Sequence, residues 1–80
     1  MANPDLRSQW GDAVRAKRLN KGLTQWQLAS AAGLQQGTLS KIERGEIAPA
    51  DAIRIAIARA LDSEVVDLFA YPPVTGEVAS

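Results

Sequence analysis

Three glycines divide the middle of this chain. Gly22, Gly33 and Gly45 each follow a stretch whose apolar residues recur at three and four. Each is suited to ending a helix, Gly22 as a left-handed cap. The first of the two segments they bound carries clear start signals. Thr24 is a good N-cap, and Gln27 stands three residues later, as a capping box requires. Leu23 and Leu28 occupy the two positions of a hydrophobic staple. Leu28, Ala29 and Ala32 are the expected buried face, and Gly33 stops the helix. The second segment predicts a helix from about Gln36 to Glu43, with Leu39 and Ile42 pointing inward. Gln36, Gly37, Ser40, Lys41 and Arg44 fall on its opposite face. Two short helices joined by a tight, glycine-containing turn are therefore expected at the centre of the fold. Small Ala29 lets them cross closely, and Leu34, Leu39 and Ile42 pin the second to the rest.

The flanking sequence is also helical in period, and no segment carries a convincing strand pattern. A first helix is expected from about Asp5 or Ser8 to Asn20, with Leu6, Trp10, Ala13 and Val14 on one stripe and Arg18 continuing it. After the loop Glu46-Ile47-Ala48, Pro49 can begin a helix but not continue one. A fourth helix over about Ala50–Leu61 presents Ile53, Ala56, Ile57, Ala60 and Leu61 as its core stripe. Ser63 is expected to cap a short fifth helix, with Val65, Leu68 and Phe69 facing in. Residues 1–71 then form one all-α, compact five-helix domain, and 72–80, which opens with Pro72-Pro73, a flexible tail.

Composition narrows the chemistry. The chain has 80 residues with neither cysteine nor histidine. A disulfide framework, a thiolate metal site and the commonest general base are thereby excluded. No Gly-rich phosphate loop or clustered acidic site is present, so an enzyme, a metal site and a cofactor are not expected. The polar N-terminus does not read as a signal peptide, and Arg54 and Arg59 interrupt the most apolar stretch, so a soluble cytoplasmic protein without membrane contact is expected. Net charge is zero, but it is unevenly spread. Residues 1–45 hold seven basic and three acidic side chains, whereas 46–80 hold two and six. Such a basic half can face an anionic surface despite overall neutrality.

The segment from Gly22 to Glu46, GLTQWQLASAAGLQQGTLSKIERGE, resembles the phage-repressor-type (Cro/XRE-like) helix-turn-helix family. The downstream IARAL (Ile57–Leu61) and DLF (Asp67–Phe69) are similar to that family's fourth and fifth helices. The resemblance covers about Trp10 to Phe69 and implies a lambda-repressor-like DNA-binding domain, prokaryotic or phage-encoded, whose third helix enters a major groove. It places Gln35, Gln36, Gly37 and Lys41 near base edges, where Gln can pair with adenine and Lys can donate to guanine. Thr38 would touch a thymine methyl or a phosphate. Gln25 at the start of the second helix, with Thr24 and Lys21 beside it, would hold phosphate, as would Ser40 and Arg44. Arg18 and Glu43 match a structural salt bridge between the first and third helices.

Three features depart from the family pattern. Gln35 stands where a Ser or Thr cap is common, so the third helix is expected to be weakly capped. Gly37 offers no side chain to a base, which either permits close backbone approach or reduces the number of bases read. Glu46 occupies a loop where relatives often carry basic residues. Trp10 is expected in the core, whereas Trp26 falls on the less buried side of its helix, either over the start of the first helix or beside the DNA backbone. The implied function is a transcriptional regulator, a repressor, binding a palindromic operator as a homodimer, with Ile55, Val65, Val66 and Tyr71–Val74 as a candidate pairing patch. The alternative is an antitoxin-type module that grips a protein partner and also binds DNA to autoregulate.

Overall fold

A computed structural model describes residues 6–70. Within them the chain forms five helices: α1 (Leu6–Asn20), α2 (Gln25–Ala32), α3 (Gln36–Glu43), α4 (Asp51–Ala60) and α5 (Val65–Leu68). The core gathers Trp10 and Val14 from α1, Leu28 and Ala29 from α2, and Leu39 and Ile42 from α3. Ile57, Ala58, Leu61, Leu68 and Phe69 complete it from the other side. Leu6, Leu23, Leu34 and Ile53 pack partly buried against this cluster. The expected tail and Tyr71–Val74 lie outside the described residues.

The start and stop signals around α2 act as expected. Thr24 Oγ1 accepts from the Gln27 amide at 3.0 Å, and Gln27 Oε1 accepts from the Thr24 amide at 2.9 Å. Gly33 takes φ of 73°, a left-handed conformation that glycine adopts without a Cβ penalty. That turn lets Leu34 donate its amide to Ala29 O at 2.8 Å, closing α2 while the chain reverses into α3. Gln35 makes no side-chain cap to α3, in line with the weak capping read from its sequence.

Three details differ from the sequence expectation. Ser63 does not cap α5; the N-cap is Glu64, also without a side-chain bond. Instead Ser63 belongs to the end of α4, because its amide donates to Ala58 O at 2.8 Å and its hydroxyl to Leu61 O at 3.1 Å. Asp62 supports that closure with a left-handed φ of 52°. Val65 is exposed rather than inward, since α5 is a single turn whose apolar load is met by Leu68 and Phe69. Ala58, outside the expected stripe of α4, is buried.

Trp10 anchors the far side of the core. Its ring meets Phe69 edge-on at 5.7 Å between centroids, and its indole donates to Ala70 O at 3.0 Å. Arg54, held by Asp51, places its guanidinium 4.9 Å from the Trp10 ring centroid. The first helix is thus locked to the α4–α5 end by one aromatic side chain.

Candidate nucleic-acid interface

The third helix is held at its C-terminal end and open along one face. Glu43 is buried there, and Arg18 of α1 meets it side-on. Arg18 Nε donates to Glu43 Oε2 at 2.7 Å, and Nη2 donates to Oε1 at 3.0 Å. The remaining guanidinium nitrogen, Nη1, donates to Leu23 O at 2.8 Å. Gln25 Nε2 adds a bond to Glu43 Oε1 at 3.1 Å. One carboxylate therefore collects α1, the start of α2 and the end of α3, and the expected structural salt bridge is present. The donors offset the cost of desolvating the carboxylate.

A glycine makes this junction possible. At Gly11 on α1, a Cβ would stand 2.4 Å from Ile42 O and 2.6 Å from Glu43 O. Real Cβ atoms do not approach backbone oxygens so closely, so α1 can cross the end of α3 here only without a side chain. Sequence reasoning missed Gly11. An interior glycine in a helical pattern, costing about 1 kcal/mol against alanine, was the available signal of a close contact.

Opposite the buried end, α3 presents its polar side chains. Gln35, Gln36, Lys41 and Arg44 are exposed, while Thr38 and Ser40 are half-buried. Gly37 is open, with nothing within 4 Å of where a Cβ would stand. Neither α2 nor α3 has an acidic residue in its first turn, so both helix starts keep their partial positive charge. Lys21 and Thr24 are exposed just before α2. The sequence-predicted residues thus lie on α3 and on the turn into α2.

Two of them carry partners that the sequence did not reveal. Gln25 spends one amide hydrogen on Glu43. Arg44 donates to Ser40 Oγ, and its Nε and Nη2 reach Glu46 at 2.7 and 3.3 Å. The hydrogen bond from Arg44 holds the Glu46 carboxyl below its ordinary pKa, and Glu46 in turn raises that of Arg44. Ser40, Arg44 and Glu46 form one surface cluster, and a carboxylate occupies the guanidinium that a phosphate would need. Trp26 is 65% exposed and borders an open depression with Ser30, Leu34, Gln35 and Gln36. Among the described residues, no group of three or more acidic side chains is placed to hold a metal ion.

Known proteins share this fold. A family model described as helix-turn-helix matches residues 14–68. An uncharacterised HTH-type transcriptional regulator, y4dL of Sinorhizobium fredii, is 40% identical over 53 residues, which is 66% of this chain. The chain spans 27% of that relative's length. The restriction-modification controller protein C.AhdI of Aeromonas hydrophila superposes with a TM-score of 0.77 at 33% identity, over 79% of this chain and 96% of that one. The clp gene regulator ClgR of Corynebacterium glutamicum gives a TM-score of 0.81 at 34% identity, over 84% and 71%. The chain belongs to the helix-turn-helix family of the Cro/XRE type, a family of DNA-binding transcriptional regulators.

Proposed function

We propose that this chain is a transcriptional repressor that reads the major groove of a palindromic operator as a homodimer in a prokaryotic cytoplasm. The observation that carries this reading is the contrast along α3, with Glu43 locked inside the fold while Gln36 and Lys41 stand exposed on one face. A rigidly seated helix with a free polar face suits a groove about 12 Å wide. Gln36 and Lys41 do most of the base reading, with Gln35, Gly37 and Thr38 beside them. Lys21, Thr24, Gln25, Ser40 and Arg44 contact phosphates and set the register.

Pairing is supported by a second surface. Ile55, Val65 and Val66 are exposed together along a groove floored by Phe69. An isologous contact through this face would pair two copies, and dimers of this class bind half-sites about one helical turn of DNA apart. Sedimentation at micromolar concentration, free and with DNA, checks the pairing; monomer alone in both refutes it.

Selection of bound sequences from random duplexes tests the recognition surface. Gln36→Ala and Lys41→Ala should each cost about 1–3 kcal/mol on the selected sequence and relax its specificity. If both variants discriminate selected from random duplex as the parent does, the assignment of base readers is wrong.

A further inference from the structure

We infer that Trp26 is a DNA-positioning residue, its indole lying against the sugar-phosphate edge of the groove that α3 enters. This inference rests on the proposed placement of α3 in the major groove. Its own support is the setting of this one side chain. The two tryptophans of the chain contrast sharply: Trp10 is 5% exposed and Trp26 is 65% exposed. Most of Trp26 is left in solvent, although a tryptophan offers the largest apolar surface of any side chain. Its neighbours in the depression are Ser30, Leu34, Gln35 and Gln36. Gln35 and Gln36 begin the proposed reading helix, so the surface bearing Trp26 is continuous with it.

The chemistry selects the contact. Indole has an apolar face and a single N–H donor, with no charge. A deoxyribose edge with its adjoining phosphate offers an apolar surface beside an acceptor. No acidic side chain borders this depression to repel a phosphate. A contact of this kind positions the protein without specifying bases. Being uncharged, it also releases no counterion, so it adds affinity without steepening the salt dependence. Those two properties separate it from Lys41, whose loss should change both.

The test uses the full chain with a duplex selected from random sequence and a random duplex of equal length. In the parent, acrylamide quenches chiefly the exposed Trp26, because Trp10 is buried. Binding of either duplex should protect that emission. Trp26→Ala, at an exposed position, should leave the melting curve unchanged. It should weaken binding to both duplexes alike by about 3- to 10-fold, with an unchanged salt slope. Equal quenching in free and bound protein, or parental affinity in Trp26→Ala, overturns the inference. The two readings fail separately. If Lys41→Ala loses discrimination while Trp26 stays quenchable, the Trp26 contact falls and base reading by α3 stands. If Trp26 is protected while Gln36→Ala and Lys41→Ala discriminate normally, the reverse holds.

Discussion

Glu43 and Arg44 are neighbours in sequence, and each makes a salt bridge, yet the two bridges have opposite characters. Arg18–Glu43 lies inside the fold, with side chains 9% and 2% exposed. Arg44–Glu46 lies on the surface, with side chains 55% and 50% exposed. The bond lengths are the same, 2.7 Å in each. What differs is the medium. The buried carboxylate has lost its water and depends on the donors from Arg18 and Gln25, so breaking that set leaves a desolvated charge. The exposed pair exchanges its partner for water or a phosphate at little cost. One end of α3 is thereby fixed, and the adjoining residue is free to change partners. Equal geometry is a poor guide to energy; burial decides.

The largest expected effect is at the buried bridge. Glu43→Ala should destabilise the domain by about 3–5 kcal/mol, because Arg18 is left unpaired. At about 4–8 °C per kcal/mol for a domain of this size, the thermal midpoint should fall by more than about 10 °C. Calorimetry checks this, and an unchanged midpoint would remove the contrast between the bridges. The double change Arg18→Met with Glu43→Leu sharpens it, since replacing both partners by apolar groups should recover much of the loss.

Gly11→Ala attacks the same junction from the α1 side. The new Cβ meets backbone oxygens rather than a flexible side chain, so the two helices must separate. A loss of about 1–3 kcal/mol is expected from denaturant unfolding. Parental stability in this variant would mean that the α1–α3 crossing is not closely constrained.

Changes at the exposed bridge should be small in stability and visible in binding. Glu46→Gln releases Arg44 from its carboxylate and should tighten DNA binding by about 3- to 10-fold with a steeper salt slope. A titration series on duplex at two salt concentrations checks this; weaker binding would show that Glu46 holds Arg44 in its productive position. The smallest effect is in the pH dependence. Because the folded-state pKa of Glu46 is lowered, its bridge contributes above the ordinary carboxylate value and is lost as pH falls through the lowered one. NMR titration should find Glu46 below the usual glutamate range, rising toward it in Arg44→Gln. The melting curve should hardly respond to this titration, since the pair lies on the surface.

Much of this was readable from the chain because it is local. Thr24 with Gln27, Gly33 in its turn and the inward stripe of Leu39 and Ile42 involve residues within one or two helical turns of each other. Hydrophobic periodicity and capping act over that range, so α2 and α3 emerged with their observed boundaries. The Arg18–Glu43 bridge, which joins distant residues, was legible only through family resemblance. Where local signals overlapped, reading faltered. Ser63 was available to cap either helix and joined the end of α4, because Asp62 turns the chain in the left-handed region.

By itself, then, the sequence determined an all-helical domain, the tight turn before α3 and the polar side chains on that helix. Tertiary structure alone decided which of those side chains remain free. The close approach at Gly11, the amide of Gln25 on Glu43 and the depression that Trp26 shares with the start of α3 depend on how separate elements lie against one another. Periodicity ranks the faces of one helix, but it carries no information about the distance to the next. The three glycines mark where the helices end; the buried carboxylate of Glu43 and the missing side chain of Gly11 settle how α1 and α3 cross.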